Sequence, residues 1–204
     1  MFFLEGEYFV ISGTPPVHPY SREPVKTSRV TIQKKEEAIA VNPIEGQLCF
    51  AEGETGITYD ELFGAYLSGA MNIVITDPYI RSFEQIDNLM AFFETLARFK
   101  DKNRDVAIHV ITLKDDFYKQ TQKDQFFQIV ESATHVGIYF TWEFKDKNEI
   151  HARHIILDNG WKILLDRGLD IYKPEKKSRF SLAGRMQDYR KCKPFEITYI
   201  RQTP

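Results

Sequence analysis

The sequence lacks the features that mark several large classes of protein. Its 204 residues include only two cysteines, Cys49 and Cys192, which are far apart and without CxxC spacing. Neither a disulfide framework nor a zinc knuckle is indicated, and we expect two idle thiols in a reducing cytoplasm. No apolar run reaches the roughly eighteen residues of a membrane-spanning helix. Glu5 and Glu7 stand where a secretory signal would be basic, so secretion is not expected. We therefore expect a cytoplasmic protein, and peripheral attachment to a membrane stays open.

Several catalytic signatures are also missing. The chain has no GxxxxGK[ST], HExxH, GxSxG or GxGxxG motif. Nucleotide hydrolases, zinc proteases, α/β-hydrolases and dinucleotide-binding enzymes therefore have no basis in the sequence. We predict neither a metal ion nor a cofactor.

Charge is present, and it is unevenly distributed. The net charge is −2, but residues 151–204 hold 12 of the 27 lysines and arginines and only 6 of the 29 acidic residues. A basic segment on an acidic body is suited to a local anion site. A solvated basic surface without a ligand is the alternative interpretation.

The first 54 residues differ in pattern from the rest. Short apolar and β-branched stretches alternate with breakers, and Pro15, Pro16 and Pro19 cannot donate to a strand ladder. We predict a small β-rich appendage over residues 1–54, followed by a single domain over residues 55–204. The predicted strands of the appendage are Phe3–Ile11, Ser28–Gln33, Ala38–Val41 and Leu48–Ala51.

From residue 55 onward, helical patterns alternate with strands and then give way to consecutive strands. Phe83–Phe99 has apolar residues at helical spacing, and Asn159-Gly160 predicts a hairpin. This order predicts an α/β fold with a mixed sheet flanked by helices. The other predicted helices are Thr58–Ser68 and Lys123–Thr134, and the strands are Asn72–Thr76, Val106–Leu113, Val136–Phe144, Ile150–Leu157, Lys162–Leu165 and Phe195–Ile200.

The most informative motif is His151-Ala-Arg153 followed by Asp158. Phospholipase D-type phosphodiesterases have His-x-Lys and then Asp at these offsets. On a strand, residues i and i+2 point to the same face, so His151 and Arg153 would address one phosphate. Such enzymes use two histidines, one as nucleophile and one as acid, with cations stabilising the charge on oxygen.

Three departures weaken the catalytic interpretation. Arg153 replaces the lysine, the usual Gly-Ser-x-Asn is absent, and the acids Asp166 and Asp170 stand near its place. The chain has one motif copy, so a complete site would need a two-fold dimer axis. Alternatively, His151 and Arg153 are ordinary polar residues on a half-exposed strand, and Arg167 pins the turn by pairing with Asp158 or Asp170.

Five segments occur in one order and carry a family resemblance: Gly56–Leu67, Asp77–Arg81, Asn159–Ile163, Arg167–Asp170 and Ser178–Leu182. From about Thr55 to Arg201 the chain resembles the phospholipase D-like C-terminal domain of MIT domain-containing proteins. It is also similar to the tails of Lon-related proteins of BREX phage-defence systems. No MIT helical bundle and no ATPase or protease signature is present, so we expect a stand-alone member or part of a larger chain.

The resemblance implies a homodimer with little or no hydrolase activity. In eukaryotic members it implies binding to acidic phosphoinositide membranes; in a bacterial member the anion could be nucleic-acid backbone, or the role could be assembly with a protein partner, including phage defence. The alternative is a dimeric phosphodiesterase or nuclease with His151 as nucleophile, assisted by Arg153 and Asp158. The predicted ligand-binding residues are His151, Arg153, Lys162, Arg167, Asp77, Tyr79 and Arg81.

Overall fold

The computed structural model describes residues 42–115, 117, 119–146, 148–174, 184 and 186–202. These residues belong to one compact unit. Its helices are α1 (Tyr59–Leu67), α2 (Phe83–Phe99) and α3 (Lys119–Thr134). Its strands are β1 (Gly46–Phe50), β2 (Asn72–Thr76), β3 (Val106–Leu113), β4 (Ile138–Lys145), β5 (His154–Leu157), β6 (Trp161–Leu165) and β7 (Phe195–Arg201).

The strands form one mixed sheet in the order β1-β7-β6-β5-β2-β3-β4. Strands β2, β3 and β4 are parallel, and the other neighbouring pairs are antiparallel. The predicted α/β fold with a mixed sheet is therefore confirmed. Because the antiparallel β5 lies beside the parallel β2, residues just before β5 come close to residues just after β2.

Helices α1 and α2 begin where the sequence supplies caps. Thr58 and Glu61 form a capping box at α1, in which the Thr58 hydroxyl accepts from Glu61 N at 3.1 Å and the Glu61 carboxylate accepts from Thr58 N. At α2 the Gln85 side chain likewise accepts from Ser82 N at 3.0 Å. Such pairs satisfy N–H groups that have no partner inside the helix. In the described part of the chain, no helix is both long and apolar enough to cross a bilayer.

The core lies between the three helices and one face of the sheet. Aromatic contacts join the layers: Tyr66 of α1 stacks on Tyr199 of β7 with centroids 4.1 Å apart, and Phe93 of α2 meets Phe140 of β4 edge-on. Residues of the opposite sheet face, such as Ile156 and Leu164, are half-buried or exposed. The described helices therefore cover one face only.

Several predicted boundaries shift. Helix α3 starts at Lys119, four residues before its predicted start, and β4 is displaced to Ile138–Lys145. The predicted strand Ile150–Leu157 is wrong in its first half, because β5 begins at His154. Its neighbour β2 ends at Thr76, opposite His154, and is followed by Asp77-Pro78, so the residues before β5 have no β2 partner. On the β6 side, only the bond from Leu165 N to Arg153 O continues the ladder.

Strand β1 pairs with β7 over five residues and forms one edge of the sheet. Part of the segment predicted as an appendage thus joins the main sheet, and the division at residue 54 stays a prediction. The predicted strands Phe3–Ile11, Ser28–Gln33 and Ala38–Val41, and the segment Ser178–Leu182, lie outside the described residues.

Candidate anion site at the end of β2

The candidate site begins where the chain leaves β2. Asp77 follows the strand directly, and its side chain is buried with 4% exposure. Its carboxylate accepts a hydrogen bond from Tyr79 N at 2.9 Å, which closes a turn around Pro78. A buried carboxylate therefore sits under the loop that carries Tyr79 and Arg81.

A second loop closes over this carboxylate from the β6 side. Gly168 has φ +61°, and a Cβ there would lie 1.8 Å from Asp77 Oδ2. Only glycine permits this approach, because any side chain would overlap the carboxylate. Leu169 N–H also donates to Asp77. The Asp77–Arg81 and Arg167–Asp170 segments, distant in sequence, therefore meet in space.

Burial raises the pKa of Asp77 to about 6. Hydrogen bonds from the Tyr79 and Leu169 N–H groups and the positive charge of Arg153 limit the rise, while Asp170 adds to it. Desolvation outweighs these favourable contacts because a carboxylate loses most of its solvation inside a protein. The charge of Asp77 therefore changes close to physiological pH.

Two guanidinium groups lie over one exposed aromatic ring. Arg153 Cζ is 4.1 Å and Arg81 Cζ is 5.8 Å from the ring centroid of Tyr79, which is 43% exposed. Arg153 also donates from Nη1 to the carbonyl oxygen of Asp166. Among the described residues, neither guanidinium has a carboxylate within ion-pair distance. We call Asp77, Tyr79, Arg81, Arg153 and Gly168 the Tyr79 cluster.

The acids and bases beside this cluster are partly paired. Lys193 Nζ binds Asp170 Oδ2 at 2.7 Å, so Asp170 does not pair with Arg167 as one alternative had it. Arg167 donates from Nε to Pro194 O at 2.6 Å. Arg167 thus lies beside the Tyr79 cluster, next to Gly168 in the chain. Its bond to Pro194 O uses Nε and not the two Nη groups.

His151 and Arg153 are brought to the same end of the sheet as Asp77, but not by the predicted strand alternation. Both residues precede β5, so their shared face is not a property of a strand. The side chain of Arg153 turns toward Tyr79 and Asp166, whereas His151 is exposed. Among the described residues no hydrogen bond orients the imidazole of His151.

Asp158 is placed far from His151, contrary to its predicted catalytic role beside that residue. Its carboxylate accepts from Met71 N at 2.9 Å and from Asn72 Nδ2 at 2.8 Å, next to the start of β2. The Tyr79 cluster follows the other end of β2, and a five-residue strand separates the two by roughly 13 Å or more. Although partial burial alone would raise the pKa of Asp158, these hydrogen bonds lower it. Asp158 anchors the β5–β6 hairpin.

Lys162 is placed on the sheet surface rather than in the Tyr79 cluster. In β6 it pairs with Ile156 of β5 and Ile200 of β7, on the face without described helices. Partial burial, and then the charge of Lys162, lowers the pKa of His154 on the same face. Lys162 and His154 are therefore neighbours of each other rather than of Tyr79.

The sequence reasoning missed the structural role of Gly168 and the part played by Tyr59. Tyr59 is fully buried in α1, and its hydroxyl donates to Leu169 O, which holds the loop over Asp77. Burial raises the pKa of Tyr59 well above its ordinary value. Gly168 lies in Arg167–Asp170, one of the segments that carry the family resemblance. Sequence spacing alone, however, does not indicate that this glycine contacts Asp77.

Chemically, this arrangement can hold an oxyanion. The guanidinium of Arg153 has five N–H donors, of which one serves Asp166 O, and Arg81 stands at the same ring. Arginine binds phosphate oxygens through a planar fork, so paired guanidiniums suit a phosphate group. The described residues include no cluster of three or more His, Cys, Asp or Glu side chains that could hold a metal ion.

This mixed sheet, with helices on one face and a basic loop cluster at the strand ends, belongs to a phospholipase D-like domain. Residues 56–201 match the family described as the phospholipase D-like domain at the C-terminus of MIT, and the chain belongs to this family. It is 35% identical over 148 residues to "MIT domain-containing protein 1" of Mus musculus. The match covers 72% of this chain and 57% of the mouse protein, so the chain spans little more than half of that relative.

Proposed function

We propose that this domain is a homodimeric binding module that recognises a phosphate-bearing anion at the Tyr79 cluster and has no hydrolase activity. The observation that carries the proposal is the pair Arg153 and Arg81 on the exposed ring of Tyr79, without a described carboxylate partner. Both guanidiniums contact this one ring, so an anion bound at its exposed edge would gain from two positive charges at once.

The surrounding charges support binding more than catalysis. Asp170 is neutralised by Lys193, and Asp77 is buried, where it holds the Tyr79 loop. His151 is not oriented by a described partner, and Asp158 is engaged at the far end of the hairpin. A nucleophile needs a base or an orienting group within hydrogen-bond reach, which these positions do not supply.

The test is the binding of the full chain to vesicles with and without a phosphoinositide, and to single-stranded DNA. Arg153→Gln removes one charge and keeps a donor for Asp166 O. We expect the variant to bind its anion about 10-fold or more weakly, because a hydrogen bond to a charged group contributes roughly 1.5–3 kcal/mol. The two ligands distinguish a lipid headgroup from a nucleic-acid backbone as the source of the phosphate.

The matched control is Lys102→Gln, in the exposed turn before β3 at the opposite end of the sheet. It removes the same charge and should leave binding unchanged. Equal weakening by both substitutions would mean that net charge, rather than the Tyr79 cluster, attracts the anion. Unchanged binding of Arg153→Gln would mean that the site is misplaced.

The alternative function is a phosphodiesterase that uses His151 as nucleophile. It is favoured by one observation, the exposed imidazole two residues from Arg153 at the same end of the sheet. Hydrolysis of bis-p-nitrophenyl phosphate by the wild-type chain that disappears in His151→Ala would support it. We expect no turnover by either protein.

A further inference from the structure

Strand β4 is an edge strand of unusual regularity. It pairs with β3 in register over all eight residues from Ile138 to Lys145, and no described strand lies on its outer side. Natural edge strands are commonly shortened, bulged, or protected by proline or unpaired charge, because a free edge is a template for another strand. Here the only charges are Glu143 and Lys145, which pair with each other at 2.6 Å.

The backbone of β4 presents regularly spaced groups to the outside. Val106 N of β3 donates to Gly137 O, so the backbone of residue 137 faces β3. Backbone groups alternate in direction along a strand, and the even-numbered residues therefore point away from the sheet. The N–H and C=O groups of Phe140, Trp142 and Phe144 form a row that can pair with a further strand.

Aromatic side chains line the helix-covered side of the same edge. Phe127 of α3 is 54% exposed and meets Trp142 edge-on with centroids 5.1 Å apart. Trp142 and Phe144 are only partly buried, although they pack on Phe126 of the core. This apolar surface borders the free edge, so a strand added there would also cover rings that water now reaches.

We propose that β4 pairs antiparallel with β4 of a second copy, about a two-fold axis at Trp142; the inference rests on the proposed homodimer. In this register Trp142 lies opposite the partner's Trp142, and Phe140 lies opposite the partner's Phe144. On the other face, Thr141 lies opposite the partner's Glu143, and Tyr139 opposite the partner's Lys145. A second copy is the occupant because the strand is complementary to itself: aromatic residues face aromatic residues, and no like charges meet.

This interface has a consequence for the Tyr79 clusters. Antiparallel pairing of the two β4 strands makes the two sheets run in opposite directions, so the ends of the two β2 strands point away from each other. Each copy then holds its own anion site, and His151 of one copy cannot reach the partner's His151. The edge-to-edge dimer is thus incompatible with a hydrolase site assembled across the two-fold axis.

The test is analytical ultracentrifugation of the full chain over a range of concentrations. Thr141→Glu sets two pairs of like charges opposite each other, and we expect it to weaken dimerisation about 10-fold or more. The double variant Thr141→Glu/Glu143→Lys exchanges the charges and should restore the dimer. The matched control is Thr198→Glu, the same change on the same sheet face but in β7, which should dimerise like the wild type.

Hydrogen exchange of the β4 amides gives a second measurement that does not depend on the variants. Phe140, Trp142 and Phe144 should be more protected at high protein concentration than at low concentration. A dimer that is insensitive to Thr141→Glu and shows no such protection would overturn the interface and leave the homodimer standing. A double variant that stays dissociated would overturn the register at Trp142. A monomeric wild type would overturn the interface and the homodimer together, with anion binding tested separately.

Discussion

At the scale of single residues, Asp77 is the position where the organisation of a loop is opposed by the cost of burying a charge. Its carboxylate organises the Tyr79 loop and accepts from Leu169, yet it is buried at considerable cost. The free-energy cost of burying the charged carboxylate raises the pKa of Asp77 from its ordinary 3.8 to about 6. Residues retained despite such a cost are often found at functional sites, although structural networks shift pKa values too.

Asp77→Asn should stabilise the fold at neutral pH. The folded chain binds the Asp77 proton more tightly than the unfolded chain, so ionisation destabilises the fold above about pH 6, and this cost fades as the pH falls from 6 toward 3.8. A shift of this size corresponds to about 3 kcal/mol at most. Urea unfolding at pH 7.5 and pH 4 should show a gain for the variant at pH 7.5 that largely disappears at pH 4.

The control for this experiment is Asp124→Asn, which removes an exposed carboxylate of α3. We expect its stability to differ little from that of the wild type at either pH. If Asp77→Asn gains no stability relative to the wild type between pH 4 and pH 7.5, the hydrogen bonds to the carboxylate outweigh its desolvation, and the direction of the pKa shift is wrong.

At the scale of elements, the β5–β6 hairpin shows how a catalytic signature can serve structure. Asp158 and Asn159 form its turn, and Asn159 Nδ2 donates to Tyr66 O and Ser68 O at the end of α1. Asp158 reaches the start of β2 through Met71 and Asn72. The turn therefore fastens the β5–β6 hairpin to helix α1 and strand β2.

Asp158→Ala should lower stability and leave anion binding unchanged. The lost hydrogen bonds are solvent-exposed, so we expect a loss of about 1–2 kcal/mol. Thermal unfolding and the vesicle assay on the same variant separate the two effects. Asp158→Asn, which keeps an acceptor oxygen, should recover part of the stability. Loss of anion binding in a folded Asp158→Ala chain would restore Asp158 to the site.

The elements show what the sequence could and could not predict. Strongly patterned segments are predicted correctly, as in the capped helix Phe83–Phe99 and the β-branched, apolar strands Asn72–Thr76 and Val106–Leu113. The predicted strand Ile150–Leu157 is four residues too long, because β5 begins only where its neighbour β2 ends. That position depends on tertiary structure, which the local sequence pattern does not show. The spacing of His151 and Arg153 also predicts two side chains on one face of a strand. In the structure, the Arg153 side chain is instead directed by contacts with Tyr79 and Asp166, both distant in sequence.

At the scale of the whole molecule, the question is where the domain begins. The family match starts at residue 56, but the sheet includes β1 before it. Phe50 stacks on Phe195 with centroids 4.5 Å apart, and Gly53 N donates to Cys192 O at 2.9 Å. Cys192 N in turn donates to Glu54 O at 2.9 Å. Residues ahead of the match therefore contribute to the fold, and we propose that the folding unit starts before β1.

A chain that begins at Asn42 should accordingly be more stable than one that begins at Thr55. The shorter chain loses the β1–β7 ladder and uncovers Phe195, and hydrogen bonds and aromatic burial together suggest roughly 3 kcal/mol. Urea unfolding of both chains gives the difference. In the longer chain, Phe50→Ala should lose part of that stability, whereas Leu48→Ala, at a residue 47% exposed on the same strand, should lose little. Equal stability of the two chains would show that β1 is an attachment to a sheet complete without it, and that the division at residue 54 marks the true start of the domain.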